Sequence, residues 1–98
     1  MTLENLKHII GYMMEELDGA QEYADWALKI RQTDKGFSDS YKAMAATELN
    51  HADTLAAQAQ QIVNANKNDE AMAIIWDWGK DIYLKKKREA KITLEMYT

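Results

Sequence analysis

The chain has 98 residues, no cysteine, no proline and a net charge of -4 at pH 7. A chain of this length forms a single domain and buries only about two-thirds of its unfolded surface, so we expect it to gain stability from a partner chain. The lack of cysteine excludes disulfides and thiolate or iron-sulfur ligation, the acidic balance argues against nucleic-acid binding, and the abundance of Ala, Leu, Met, Glu and Lys favours an all-α protein.

Localisation can be judged from the apolar runs. No apolar run approaches the about 20 residues that a membrane-spanning helix needs. Residues 1–6 contain no basic segment followed by an apolar one, which a secretory leader would show. We therefore expect a cytoplasmic protein that does not contact a membrane.

Capping signals divide the single domain, residues 1–98, into three predicted helices, over about 3–33, 39–64 and 69–96. Thr2 is suited to cap the first helix and Gly36 to stop the chain after it. Ser38 or Asp39 can cap the second helix, and the polar segment 64–68 separates it from the third.

The first predicted helix places a carboxylate beside its apolar stripe. That stripe is formed by Leu3, Leu6, Ile10, Met13, Leu17, Ala20, Ala24 and Ala27. A neighbouring row at seven-residue steps contains Ile9, Glu16, Tyr23 and Ile30. An antiparallel second helix after a short loop would bring the middles of both helices together, so Glu16 is expected near Glu48 and His51.

Glu48 and His51, spaced as Glu-x-x-His, are the most informative residues of the second helix. They fall within its predicted apolar stripe, which consists of Tyr41, Met44, Glu48, His51, Leu55, Gln58 and Ile62. Burying a carboxylate and an imidazole without partners would cost several kcal/mol. A bound metal cation would remove that cost. A hydrogen-bonded pair, or a helix that turns this stretch toward solvent, is the alternative.

The third helix has a broad apolar surface and a basic run. Ala71, Ile74, Ile75, Trp78 and Ile82 share one face, and Trp76 and Tyr83 widen it. The pattern fits packing onto its own chain or onto a neighbouring subunit. The cluster at residues 85–91 either binds an acidic partner or nucleic acid, or simply suits the negative end of a helix.

Residues 14–18, Tyr23 seven residues after Glu16, and residues 48–52 together resemble the rubrerythrin-like branch of the ferritin superfamily, and more narrowly the encapsulated ferritins. The resemblance covers about the first two-thirds of the chain. It implies a half-ferritin: a helical hairpin, here with a third C-terminal helix, that dimerises into a ferritin-like four-helix bundle. Ferritin-like di-iron sites take a Glu from each of two helices and a Glu-x-x-His from each of two others. This chain has one copy of each, so it requires a second chain.

The resemblance also assigns roles to individual residues. It implies that Glu16, Glu48 and His51 are the catalytic iron ligands, with two irons per dimer, and that Tyr23 donates a hydrogen bond to a ligating carboxylate. Glu15 and Asp18 would form a weaker site through which metal ions enter, although both also fit ordinary solvated helix charges. Carboxylate and imidazole ligands suit iron, and would also accept manganese or zinc.

Two parts of the sequence depart from the encapsulated ferritins. The third helix is longer and differently composed than the expected short tail, so a ring of dimers does not carry over from the resemblance. Residues 92–98 do not match the Gly-containing apolar tag by which such proteins dock in a capsid-like shell. The resemblance thus implies a homodimer or a higher homo-oligomer, and an encapsulating shell that no clear docking tag supports.

Three functions are compatible with these observations. The first is a ferroxidase that oxidises Fe(II) to Fe(III) for storage or detoxification at an interfacial di-iron site. The second is a protein of the same fold that holds a metal without turnover. The third is a metal-free helical assembly protein in which the Glu and His cluster fixes one dimer register at some cost in stability.

Overall fold

The computed structural model describes residues 1–96, which form three α-helices and, over that range, no strand. The helices are α1 (Leu3–Ile30), α2 (Lys35–Asn64) and α3 (Glu70–Met96). α1 and α2 form an antiparallel hairpin, and α3 returns along both of them in an elongated bundle of 53 × 18 × 14 Å. The all-α prediction is confirmed. None of the helices in the described range is long and apolar enough to cross a membrane.

The first helix begins as predicted, but the turn after it differs from the prediction. The Thr2 side chain accepts a hydrogen bond from the Asn5 backbone N–H, and the Asn5 side chain accepts one from the Thr2 backbone, which completes a capping box. α1 then ends at Ile30, about one turn before residue 33. A loop of four residues leads directly into α2.

The predicted caps of the second helix are wrong. Asp34 is the N-cap of α2, because its side chain accepts a hydrogen bond of 2.9 Å from the Phe37 backbone N–H. Gly36 therefore lies in the first turn of α2 rather than ending α1. Ser38 is buried inside the helix, where its hydroxyl donates 2.5 Å to the Ala27 carbonyl of α1, and Asp39 lies one residue further along. The third helix begins as expected, with Asp69 accepting from the Met72 backbone N–H.

The core of the hairpin is rich in alanine. On α1 the predicted stripe is confirmed, with Leu6, Ile10, Met13, Leu17, Ala20, Ala24 and Ala27 buried. On α2 the buried face is formed by Ser38, Ala45, Leu49, Ala52, Ala56, Ala59 and Ile62. Of the predicted α2 stripe, Ile62 is buried and Leu55 packs partly against the core. The rest of the stripe is not buried, because the neighbouring row of mostly small side chains turns inward and lets the two helices approach closely.

α3 packs onto its own chain. Met72, Trp76 and Ala90 are buried against the hairpin, and the Trp76 indole N–H donates 2.9 Å to Gln60 Oε1 of α2. Gly79 faces Ile10 of α1, at a distance at which an added methyl group would lie 3.3 Å from the Ile10 side chain. The inward face therefore differs from the one the sequence suggested, and Ile74 and Trp78 remain exposed.

Candidate metal centre

Glu16 of α1 and Glu48 and His51 of α2 converge midway along the hairpin. His51 Nδ1 lies 3.4 Å from Glu16 Oε2 and 3.9 Å from Glu48 Oε1. One ligand atom from each residue lies within 4.8 Å of the other two, and no other such cluster of three acidic or His side chains occurs in residues 1–96. The expectation that the hairpin brings these three side chains together is confirmed.

The cluster lies at the surface of the chain and not in its core. His51 is 55% exposed, whereas the side chains of Glu16 and Glu48 are 29% and 26% exposed. Glu48 and His51, which the apolar stripe placed on an inward face, lie outside the core of this chain, because α2 buries the row of Ala45, Leu49 and Ala52 instead. The chain's own packing therefore leaves one side of the cluster open.

The position of Glu48 depends on a glycine opposite it. A methyl group at Gly19 of α1 would lie 3.0 Å from Glu48 Oε2, closer than carbon and oxygen atoms normally approach, and in ordinary contact with Glu48 Cδ at 3.8 Å. The carboxylate therefore occupies space that any other side chain at residue 19 would fill. Sequence reasoning did not identify Gly19, although its position three residues after Glu16 places it on the same side of α1.

Glu16 disfavours the ionisation of Glu48. The pKa of Glu48 is raised above its ordinary value, first by its hydrogen bond with Glu16, then by partial burial and by the negative charge of Glu16, whereas His51 opposes the shift. A raised pKa means that the ionised form of Glu48 is disfavoured in the folded chain. A cation between the carboxylates would relieve this repulsion, as would a proton.

The donor set fits a divalent transition metal. Two oxygen donors and one imidazole nitrogen suit iron, manganese or zinc, and no thiolate is present to favour a softer ion. Ligand atoms at about 2.0–2.2 Å from one ion lie at most about 4.4 Å apart, so both measured separations from His51 Nδ1 already fit one coordination sphere. Three ligands leave coordination positions for further groups.

The cluster lies at the centre of a surface that we call the hairpin face. The α1 part of this face is the row Tyr12, Glu16, Gly19, Tyr23, Trp26 and Ile30, and the α2 part is the row Phe37, Tyr41, Met44, Glu48, His51 and Leu55. In both rows the steps alternate between four and three residues, which is the spacing of a helix-packing seam. Several of the large apolar side chains are exposed, including Phe37 at 65% and Tyr12 at 54%.

α3 leaves the hairpin face free. It contacts the hairpin through other residues, among them Ile10 and Asp18 of α1 and Asp53 and Gln60 of α2. Most of the apolar stripe predicted for the second helix therefore lies on the hairpin face, a surface that packs against no other helix of the chain.

Tyr23 lies beside the cluster without contacting a carboxylate within the chain. Its ring stacks on that of Tyr41, with centroids 6.0 Å apart and an angle of 30° between the rings. In the part of the chain that the structure describes, its hydroxyl donates to none of the three cluster residues. The predicted hydrogen bond to a ligating carboxylate stays a prediction, and it would require a carboxylate from another chain or a different rotamer.

Glu15 and Asp18 do not join the cluster. Glu15 is exposed, and Asp18 accepts a hydrogen bond of 2.6 Å from Lys86 Nζ of α3. A metal ion at Asp18 would have to compete with this ion pair. Their predicted role as a weaker site through which ions enter stays a prediction.

Comparison with known proteins adds no assignment to this geometry. No protein-family model, curated protein or solved structure matches the chain.

Proposed function

We propose that the chain is half of a di-iron ferroxidase. Two copies pair through their hairpin faces about a two-fold axis, and Glu16, Glu48 and His51 from both copies bind two iron ions between them. The observation that carries the proposal is the convergence of two carboxylates and an imidazole at the centre of an unpaired apolar surface. A lone acidic cluster on a polar surface would not imply a second chain.

Pairing through the hairpin face is supported by what that face exposes. Trp26, Phe37 and Met44 are all more than 40% exposed, and they flank the cluster along both helices. In a two-fold contact the hairpin face of one chain would pack against the hairpin face of the other and bury these side chains, as in most homodimers. The four helices of two hairpins would then form a four-helix bundle with the six polar side chains at its centre.

The proposed ligand set agrees with the chemistry of the cluster. Two cations between four carboxylates would favour the ionised form of Glu48, whose pKa is raised by its hydrogen bond with Glu16, by partial burial and by the negative charge of Glu16. The reaction consumes iron as substrate: two Fe(II) ions lose one electron each, and dioxygen accepts both electrons with two protons to give hydrogen peroxide. Peroxide is the alternative oxidant.

The residues of the chain have defined tasks in this reaction. Glu16 and Glu48 hold the positive charge that increases on oxidation, and carboxylates can shift between bridging two ions and binding one. His51 fixes the position of an ion from the α2 side. The exposed apolar residues of the hairpin face exclude water from the site once two chains pair.

The ferric product needs a destination outside the dimer. A small dimer encloses no volume in which a mineral could form, so storage requires a separate compartment, such as the shell that the sequence resemblance implies. Residues 92–98 supply no clear docking tag for it, and Tyr97 and Thr98 lie outside the described residues. We therefore propose Fe(II) oxidation as the activity of this chain. The partner that accepts Fe(III) determines whether the outcome is storage or detoxification.

The test is Fe(II) oxidation by metal-free protein after admission of air, followed by ultraviolet absorbance and oxygen consumption. Glu48→Ala and His51→Ala should each abolish the rapid ferric signal while helicity stays unchanged. Glu22→Ala is the matched control, because Glu22 is an exposed carboxylate on α1 outside the cluster. Unchanged rates in both site variants would refute the assignment.

The two alternative functions give different results in the same experiment. A protein that only holds metal would bind Fe(II) without accelerating oxygen consumption. A protein that uses the cluster only to fix dimer register would bind no metal, and its Glu48→Ala variant would lose the correct dimer instead of an activity.

A further inference from the structure

The outer side of α3 carries a second exposed row, separate from the hairpin face. We call it the outer row, and it consists of Ile74, Trp78, Asp81, Lys85, Arg88 and Ile92. All six residues are exposed, with Ile74 at 67% and Trp78 at 58%. The steps along the row are four, three, four, three and four residues, which keeps every member on one side of the helix.

The outer row is not simply a basic surface, although the run Lys85 to Arg88 suggested one. Lys86 donates 2.6 Å to Asp18 of α1, and Lys87 donates 2.8 Å to Asp53 of α2. Half of the basic run is therefore neutralised by the chain's own carboxylates. Outside, Lys85 and Arg88 share the surface with Asp81 and other acidic side chains, which disfavours an anionic polymer or membrane as the partner.

The outer row is complementary to a second copy of itself that runs antiparallel. If two α3 helices lie antiparallel with their centres at residue 83, Ile74 faces Ile92 of the second copy. In the same register Trp78 faces Arg88, and Asp81 faces Lys85. Each contact occurs twice, because a two-fold axis relates the two helices.

All three pairings are chemically favourable. Ile74 and Ile92 bury apolar surface at both ends of the contact. Arg88 can stack on the indole of Trp78, and Asp81 and Lys85 form an ion pair. Within residues 1–96, Asp81, Lys85 and Arg88 have no ion-pair partner, so all three are available to a second copy.

A groove lies beside the outer row and shares two of its residues. It measures about 430 Å³ and is lined by Leu84, Lys87, Arg88, Lys91, Ile92 and Glu95. An antiparallel second helix on the outer row would pass along the edge of this groove that Arg88 and Ile92 form.

From this pattern we propose that α3 forms an antiparallel contact with α3 of a second copy through the outer row. The contact requires neither a bound metal nor the hairpin face, because the outer row lies on the side of α3 that points away from the hairpin. A chain that uses both surfaces does not stop at a dimer: two different two-fold contacts per chain generate a closed ring or an extended filament of dimers.

Cysteine cross-linking tests the direction and register directly, since the chain contains no cysteine of its own. Ile74→Cys and Ile92→Cys are prepared separately, one with a mass tag, and are oxidised alone and as an equal mixture. In the antiparallel contact residues 74 and 92 face each other, whereas the two copies of residue 74 lie roughly 27 Å apart along the helices. A disulfide needs Cα atoms within about 7 Å.

The expected result is a disulfide dimer that joins the tagged to the untagged variant in the mixture, with little product from either variant alone. Strong cross-linking of each variant with itself would indicate a parallel contact and overturn the proposal. Absence of product in all three samples, at concentrations where the protein is oligomeric, would overturn it as well.

Charge reversal tests the same contact by rescue. Asp81→Lys alone and Lys85→Asp alone each place like charges opposite one another twice, and should lower the cross-linking yield of the 74 and 92 pair roughly 5-fold. The double variant restores opposite charges and should restore the yield. Helix content by circular dichroism serves as the control for folding.

A different partner gives a distinct outcome. Co-sedimentation of the natural sequence with vesicles of equal parts phosphatidylcholine and phosphatidylserine, together with no cross-linking in solution, would show that the outer row binds an anionic membrane. That result, or equal effects of the single and double charge variants, would refute the α3 contact.

Discussion

Replacing Gly19 with alanine should separate the stability of the hairpin from the function of its metal centre. The added methyl group would lie 3.0 Å from Glu48 Oε2. Ordinary contacts begin near 3.4 Å, so the oxygen must move by roughly 0.4 Å. Metal sites tolerate about 0.2 Å in ligand distance. Glu48 is a flexible side chain on the facing helix, so the carboxylate moves and the backbone does not.

The expected loss is about tenfold in Fe(II) affinity, the lower end of what disturbed ligand support costs. The same substitution should raise the stability of the metal-free protein, because alanine is favoured over glycine within a helix by about 0.8–1.0 kcal/mol. For a chain of this size that corresponds to an increase of roughly 4–8 °C in Tm. The variant is therefore expected to be more stable and less able to bind iron.

Gly11→Ala is the matched control for this prediction. Gly11 lies in the same helix, and a methyl group there meets nothing within 4 Å. It should give the same gain in Tm without any change in iron binding. The assays are thermal unfolding of metal-free protein and an anaerobic Fe(II) titration, with the oligomer mass measured for both variants because Gly19 lies in the hairpin face.

The reasoning would be refuted if Gly19→Ala bound and oxidised Fe(II) as Gly11→Ala does. A double variant with Glu48→Ala sharpens the test. If Gly19→Ala acts through Glu48, it should cause no further loss once that carboxylate is absent.

Three further predictions concern the polar contacts of the bundle. Glu48→Gln should abolish iron binding yet raise the Tm of metal-free protein at neutral pH by a few degrees. The pKa of Glu48 is raised in the folded chain, so ionisation of Glu48 above that pKa lowers the stability of the fold. An unchanged or lower Tm would contradict this reasoning. Asp53→Asn should lower stability at pH 7 by at most about 1 kcal/mol, since Asp53 is partly exposed. Burial alone would raise the pKa of Asp53, but hydrogen bonds from Lys87 and Tyr83 and the charge of Lys87 lower it overall. The ionised Asp53 therefore stabilises the fold above the ordinary carboxyl pKa, and this stabilisation is lost as pH falls through the lower pKa of the folded chain. Chemical unfolding of both proteins across the acid range should therefore show the difference shrinking below pH 3.8, and a constant difference would contradict the ion pair. Trp76→Phe should cost at least about 1 kcal/mol in unfolding free energy, because it removes the hydrogen bond to Gln60 and leaves a gap in the buried core. Trp78→Phe, at an exposed position, should cost little in the separated chain.

The sequence predicted the α1 face and the meeting of the three polar residues because both follow from local periodicity. The stripe from Leu6 to Ala27 repeats at helical spacing, and a short loop leaves an antiparallel hairpin as the simplest arrangement. With that register, Glu16 must lie near Glu48 and His51.

The inward face of α2 could not be predicted in the same way. Two apolar rows run side by side on this helix, one of large side chains with Glu48 and His51 and one dominated by alanine. Hydrophobicity alone favours the row of large residues, but close helix packing selects the small ones. The stronger pattern therefore describes the surface that the separate chain leaves exposed.

The α2 cap was missed for a local reason. Asp34, Ser38 and Asp39 are all good capping residues, and the sequence does not show which of them precedes the first turn, whose backbone N–H groups need a side-chain acceptor. In the structure Ser38 is used across the hairpin, where it bonds the Ala27 carbonyl, so Asp34 is left to begin the helix.

The mass of the iron-loaded protein tests the central claim most directly. Native mass spectrometry after anaerobic addition of Fe(II) should show a dimer, or a multiple of it, that carries two irons per pair of chains, and His51→Ala should carry none at matched concentration. A monomer that binds iron by itself, or a stable dimer that binds none, would contradict a di-iron site shared between two hairpin faces.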